Sequence, residues 1–206
     1  MAIKNLEKDV LSFMTPGDVV LIEYQSREPI ENLTWGELLP AIRTYGVVVA
    51  DFFGIGEILL RKFMRRGDVD YSSVLELLKD LRVVRVGPGT VTYGEILEDV
   101  VPSYDPHTFL RDYHSIMSKI SRLPQKPKYM VTFGLGHYIH FDPVNAIKSI
   151  LTAVSTIPAE DLVIINFVNA DVIKRAHLAI LEELSTAIVE VSGGKFKVYK
   201  DGGIGD

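Results

Sequence analysis

The chain has 206 residues, of which 47% are hydrophobic and 24% are charged, as in ordinary globular proteins. It contains no cysteine, which excludes disulfides, iron–sulfur clusters and thiolate zinc sites. Its 22 basic and 27 acidic residues give a net charge of −5, which argues against a broad nucleic-acid surface or a surface for anionic membranes. No apolar run approaches the ~18 residues of a membrane span, and the N-terminus carries mixed charge, so we expect a cytoplasmic protein.

Short apolar runs predict strands that are buried on both faces, as in a parallel sheet. They lie at residues 19–22, 47–53, 82–86, 129–133 and 162–167. Two further runs, 187–191 and 195–199, flank Ser-Gly-Gly, which is typical of a hairpin. Because helical patterns alternate with the strands, the sequence predicts a single domain over residues 1–206 with a three-layer, mostly parallel α/β sheet and a C-terminal β-hairpin.

Helices are predicted between these strands from apolar spacing and from start and stop signals. Their ranges are 3–14, 34–45, 56–66, a helix from Ser73, 92–102, 107–120, 143–156 and 172–184. Thr34 and Glu37 have the spacing of a capping box, with Thr34 as N-cap, and Pro40 predicts a kink or a later start. The tail, residues 201–206, is expected to be mobile.

The opening strand carries a resemblance to a known group of proteins. The segment Pro16-Gly17-Asp18-Val19-Val20-Leu21-Ile22-Glu23 resembles the first strand of RecA-like and KaiC-like P-loop ATPases. The strand over 129–133, where that group places a magnesium-positioning carboxylate, and the terminal hairpin fit the same layout. The whole chain also resembles a small family of uncharacterised proteins from hyperthermophilic archaea. These resemblances imply a P-loop NTPase fold.

The loop after the first strand lacks the groups that a phosphate loop needs. The motif G-x-x-x-x-G-K-[ST] supplies a nest of N–H groups, a lysine and a magnesium-binding hydroxyl. Residues 23–34 contain no glycine, no lysine and three carboxylates, and Glu37 falls in the first turn of the following helix. Like charges ~4 Å apart repel by about 4 kcal/mol at an effective dielectric of about 20. The strand over 129–133 also lacks a terminal aspartate, so we expect no ATP hydrolysis and no cofactor.

Candidate ligand-binding residues lie where strands end, because open parallel sheets bind ligands beyond the carboxyl ends of their strands. These residues are Glu23, Arg27, Asp51, His137 and Asn166. Asp51 has a second interpretation, as a cap or an acceptor for loop hydrogen bonds.

Two polar groups after later strands have structural interpretations as well. His137, His140 and Asp142 could hold a divalent metal, but Asp142-Pro143 is typical of an N-cap followed by Pro at N1, so we expect no metal site. Asn169 and Asp171 are interpreted as helix-capping residues.

The function predicted from these residues is a non-catalytic binding or assembly module, with a second copy or another protein as its partner. The alternative is residual nucleotide binding, or an unidentified enzymatic activity, at the crevice formed by the five candidate residues.

Overall fold

Eight strands form one sheet in the order β4-β3-β2-β5-β6-β1-β7-β8 in a computed structural model that describes residues 14–157 and 161–200. The strands are β1 Val19–Tyr24, β2 Gly46–Phe52, β3 Arg82–Val86, β4 Glu95–Val100, β5 Lys128–Phe133, β6 Leu162–Asn169, β7 Ala187–Ser192 and β8 Lys195–Lys200. Only β7 and β8 pair antiparallel among these strands, which confirms the mostly parallel sheet and the hairpin. The predicted helix over 3–14 and the tail 201–206 lie essentially outside the described residues.

Helices cover both faces of the sheet, which confirms the three layers. They are a π-helical segment Asn32–Leu38, α1 Leu39–Ile42, α2 Ile55–Met64, α3 Tyr71–Asp80, α4 Pro106–Ser121, α5 Leu135–Phe141, α6 Pro143–Thr156 and α7 Arg175–Leu184. We call the face packed against the π-helical segment and α1–α3 the first face, and the face packed against α4–α7 the second face. No helix within the described ranges combines the length and apolarity needed to cross a bilayer.

Each face carries its own apolar core, since successive strand residues point to opposite sides. Trp35, Tyr93 and Phe133 are among the largest fully buried side chains of the first core, and Tyr138 is the largest fully buried one of the second. Trp35 meets Tyr93 edge-on at 4.9 Å between ring centroids and stacks on Phe133 at 6.2 Å. These rings fill the first face beneath the carboxyl ends of the central strands.

The helix predicted over 92–102 is wrong, because residues Glu95–Val100 form the edge strand β4, parallel to β3. The turn before it uses Gly94, whose φ of 69° favours glycine and whose backbone lies close to the Leu81 carbonyl. Cross-strand ion pairs hold the edge, since Arg85 binds Asp99 on the neighbouring strand. A register shift between Val83 and Val84 adds a bulge to the pair.

The capping box predicted at Thr34 is also wrong. Helical structure begins at Ile30, four residues before Thr34, and the buried Thr34 hydroxyl donates to the carbonyls of Ile30 and Glu31 at 3.0 and 3.2 Å. Leu39 N–H bonds to the Thr34 carbonyl, which widens the turn just before Pro40, a residue that has no N–H to donate.

The segment between β5 and α6 is helical, where the sequence predicted a loop. It forms α5, which starts at Gly134 with a φ of 79° close to the Phe52 carbonyl. Asp142 is the N-cap of α6 and accepts from Asn145 N–H, with Pro143 in the first turn, as the sequence predicted. Two other helices differ by a few residues from prediction: α3 starts at Tyr71 after the N-cap Asp70, and α7 starts at Arg175.

Candidate functional site

The five predicted ligand-binding residues do not share one crevice. Glu23 on β1 and Asn166 on β6 lie on the second face, whereas Asp51 on β2 lies on the first face beside Tyr93. Strands β5 and β6 lie between β1 and β2. Arg27 is exposed after β1, and His137 is half-buried on α5. Ligand binding by any of the five stays a prediction.

Asp51 is fully buried and serves the N-terminus of α2. Its Oδ1 accepts from Gly56 N–H at 2.8 Å, and its Oδ2 accepts from Glu57 N–H at 3.0 Å and from the Tyr93 hydroxyl at 2.9 Å. Burial raises the pKa of Asp51 although these three hydrogen bonds oppose the shift. Asp51 therefore accepts hydrogen bonds from the N-terminus of a helix, which agrees with its second interpretation as a cap or an acceptor for loop hydrogen bonds.

Glu57, in the first turn of the same helix, is a second buried carboxylate, and no sequence motif predicted a role for it. It accepts from Thr92 N–H at 2.8 Å and from the Thr92 hydroxyl, and it pairs with Arg61 at 2.8 Å. Together with Asp51 it fixes the connection between β3 and β4 onto α2. An acidic residue in the first turn of a helix was the only local signal for it.

The loop after β1 uses its own backbone donors. Glu28 N–H bonds to the Gln25 carbonyl at 2.9 Å, Ile30 N–H to the Glu28 carbonyl at 2.8 Å, and Asn32 N–H to the Pro29 carbonyl at 3.0 Å. A phosphate nest needs such N–H groups unpaired and convergent. Here they close a compact series of turns.

Two other parts of the chain form hydrogen bonds with this loop: the segment at the end of β6 and the β7–β8 turn. Asp171 accepts from Ser26 N–H at 2.8 Å, and Asn169 bonds to the Ser26 hydroxyl. Glu28 accepts from Gly194 N–H in the β7–β8 turn at 3.0 Å. The prediction that Asn169 and Asp171 cap a helix is therefore wrong, since the residue before α7 is Lys174.

Glu23 lies at the carboxyl end of β1 among other charged residues. Burial, followed by the neighbouring Glu182 carboxylate, raises the pKa of Glu23 to about 7, and Arg175 opposes the shift. Arg175 forms an ion pair with Glu182 on α7, and Glu190 lies opposite Glu23 on β7. Near neutral pH this carboxyl therefore exchanges a proton, which no motif in the sequence indicated.

The carboxyl end of β5 carries an aromatic ring and no carboxylate. Phe133 is fully buried between Trp35 and Phe167, with ring centroids 6.2 and 5.3 Å away. The residue before it is Thr132, on the second face. No side chain at this position can position magnesium by charge.

The two histidines of α5 have separate surroundings. Burial lowers the pKa of His137, and His140 adds to the shift. His140 Nδ1 contacts the Val172 carbonyl at 2.9 Å, while Asp142 caps α6. In the part of the chain that the structure describes, no group of three or more histidine or acidic side chains could hold a metal ion.

A wide groove of about 670 Å³ runs between the π-helical segment and helices α2 and α3. Three polar atoms of residues that line it have no hydrogen-bond partner within the described residues: Asn32 Oδ1, Trp35 Nε1 and Glu37 Oε2. Burial raises the pKa of Glu37. The sequence did not predict this groove, because no local pattern indicates the π-helix that forms its floor.

A narrower cavity of about 130 Å³ lies between the second face and helices α4 and α6. Most of its lining is apolar, but Thr132 on β5 and Asn166 on β6 are adjacent in register and form a polar floor. Of the candidate residues named from sequence, only Asn166 is part of this cavity.

Several proteins of known structure share this architecture. The chain is similar to a Pyrococcus horikoshii OT3 protein described as the subject of a structural study, with 21% identity, a TM-score of 0.74, and coverage of 97% of this chain and 93% of that one. It is also similar to the ATPase domain of G40P, with 10% identity, a TM-score of 0.50 and coverage of 92% and 78%. A third similar structure is an uncharacterised Pyrococcus horikoshii protein in complex with an unknown peptide, with 12% identity, a TM-score of 0.52 and coverage of 90% and 83%.

These likenesses show the class of the fold, which is that of RecA-like P-loop ATPase domains. The chain itself belongs to the family described as Pyrococcus protein of unknown function, DUF257, whose model matches residues 9–200. The expected family of uncharacterised archaeal proteins is thereby confirmed. No curated protein matches the chain.

We expect Asp51→Asn to lower the free energy of unfolding by about 3 kcal/mol. In the wild-type chain, two carboxylate oxygens accept from Gly56 N–H, Glu57 N–H and the Tyr93 hydroxyl, whereas the Asn carboxamide has only one acceptor oxygen. The matched control is Asp70→Asn at the exposed N-cap of α3, where Asn caps as well as Asp and the change should stay within about 0.5 kcal/mol. Chemical denaturation of the two variants measures both values. Equal losses would show that Asp51 is an ordinary helix cap.

We expect Glu23 to make stability depend on pH. Its pKa is raised on folding, so its contribution is fully present below about pH 4.5 and is lost as pH rises through about 7. Solvent screening of this half-buried carboxyl reduces the effect to about 1 kcal/mol. Glu23→Gln should flatten that part of the curve of unfolding free energy against pH.

Glu183→Gln, at an exposed position of the same helix that carries Glu182, is the control for this measurement. It should leave the slope of the wild-type curve unchanged. A Glu23→Gln curve with the wild-type slope would contradict the assignment.

Proposed function

We propose that the chain acts as a single cytoplasmic RecA-like module for binding or assembly, which neither binds nor hydrolyses nucleoside triphosphates at the loop after β1. One observation carries this proposal: the N–H groups of Ser26, Glu28, Ile30 and Asn32 all bond to carboxylate or carbonyl oxygens of the chain. A triphosphate would have to break these bonds before it could accept any of them.

Charge and side-chain chemistry support the same conclusion. Glu28 and Asp171 place carboxylates in the loop region where a triphosphate would bring further negative charge. The Thr34 hydroxyl is buried and donates to the Ile30 and Glu31 carbonyls, so it is not free to bind magnesium. Arg27 is the one cation of residues 23–34, and it is exposed and makes no hydrogen bond or ion pair with the described residues.

For nucleotide binding, we expect no change in melting temperature with millimolar ATP·Mg or ADP·Mg, and no release of phosphate, because ligand binding to the native state would raise the melting temperature. Thermal denaturation with and without nucleotide, and a phosphate-release assay, are the measurements. A rise that disappears in Arg27→Ala but persists in Arg65→Ala, an exposed arginine at the end of α2, would overturn the proposal.

As partner we propose a second copy of the chain. Large apolar side chains are exposed around the junction of α5 and α6, with Phe141 at 66%, Val144 at 76% and Leu151 at 40% exposure. Val144 and Leu151 are seven residues apart, so they lie on one side of α6. The net charge of −5 does not favour nucleic acid. That a protein of similar fold was solved with an unknown peptide is compatible with protein recognition.

Sedimentation velocity tests this interface. We expect the wild-type chain to sediment as a dimer or larger species, and Phe141→Asp combined with Val144→Asp to sediment as a monomer, because two charges would be buried in an apolar contact. Leu75→Asp, at an exposed apolar residue of α3, should keep the wild-type state. A wild-type monomer at all concentrations, or a double variant that still associates, would reject this partner.

A further inference from the structure

The cavity under α4 and α6 has the chemistry of a binding site that is separate from the loop after β1. Its sides are formed by apolar residues of six strands and of helices α4–α6, among them Phe52, Ile116 and Ile150. We propose that it binds a small, uncharged, mainly apolar molecule with one hydroxyl or carbonyl group, about the size of a phenol.

The polar floor specifies the single polar group of this ligand. Thr132 is only 4% exposed, and Asn166 is half-buried beside it at the paired register position. Neither side chain forms a hydrogen bond with any of the residues that the structure describes, so both can bond to a molecule in the cavity. One ligand oxygen placed between them could accept from the Asn166 amide and exchange a hydrogen bond with the Thr132 hydroxyl.

The flanking residues explain why there is space above this floor. In the same row across the sheet, Ala50 on β2 is the register partner of Thr132 and Leu21 on β1 that of Asn166. Ala50 and Ala153 on α6 both line the cavity, and two such short side chains leave the gap between the layers unfilled.

The size of the cavity sets the size of the ligand. Its volume of about 130 Å³ is close to that of an apolar cavity of about 150 Å³ that takes benzene. A water molecule on the polar floor would satisfy Thr132 and Asn166 but would leave the apolar remainder empty. A six-membered ring with one oxygen satisfies both the floor and the walls.

The opening of the cavity favours an uncharged ligand. Val101 and Val154 border it and are 82% and 40% exposed, so the cavity reaches the surface between them. Among the described residues, Asp112 is the one charged residue of the lining, and its carboxylate forms an ion pair with Arg111. No lysine or arginine of the described ranges lines the cavity to hold a carboxylate or a phosphate.

The test compares phenol with benzene by isothermal titration calorimetry on the full chain. We expect phenol to bind about tenfold more tightly than benzene, the value of one buried hydrogen bond. Thr132→Val keeps the shape of the side chain and removes its hydroxyl, so it should reduce the advantage of phenol over benzene while benzene binding persists. Thr156→Val, near the end of α6 on an exposed residue, is the control and should keep the tenfold difference.

A second variant locates the binding event. Ala153→Leu fills the cavity from α6 and should abolish binding of both probes, and its melting curve shows whether it is folded. The proposal is overturned if neither probe binds the wild-type chain, if phenol keeps its advantage in Thr132→Val, or if folded Ala153→Leu binds both. Because the cavity does not involve residues 25–32, these results do not depend on the outcome of the nucleotide experiment.

Discussion

The buried carboxylate of Asp51 is the interaction on which the carboxyl end of the first face depends. It accepts the first N–H groups of α2 and the hydroxyl of Tyr93, and so holds a helix and the β3–β4 connection against β2. Tyr93 in turn packs against Trp35, which stacks on Phe133. The Asp51 carboxylate thereby holds its neighbours in place, and a buried carboxylate without those donors would be strongly unfavourable.

In the loop after β1, as at Asp51, a carboxylate of the chain itself accepts from a backbone N–H group. In a RecA-like ATPase, the backbone N–H groups of this loop donate to an external anion. In this chain the Asp171 carboxylate accepts from Ser26 N–H, and the N–H groups of Glu28, Ile30 and Asn32 donate to carbonyls of the loop itself. Because that carboxylate belongs to the fold, the Ser26 donor is satisfied without a ligand.

The strands of the central sheet could be predicted because continuous β-branched runs such as 47–49 and 163–165 are typical of strands that a parallel sheet buries on both faces. The edge strand β4 could not, since its sequence Glu-Ile-Leu-Glu-Asp-Val gains strand structure only by pairing with β3, which local pattern does not record. The site residues show a similar limit. Ser26 and Asp171 are 145 positions apart in the sequence. The cavity at Thr132 exists because Ala50 and Ala153, which are distant in sequence, are too short to fill the space between the sheet and α6.

The register shift in the β3–β4 pair has a consequence for behaviour at high temperature. An unpaired strand at the rim of a sheet is a template onto which a partly unfolded neighbour can add, and fibres grow in this way. The bulge twists this rim, and Glu95, Glu98 and Asp99 lie along it. At the opposite edge of the sheet, β8 carries the exposed Lys197, whose charge discourages the addition of a second strand by repulsion between like charges. Both ends of the sheet thus resist propagation, and concentrated solutions of the chain should survive heating without forming cross-β deposits.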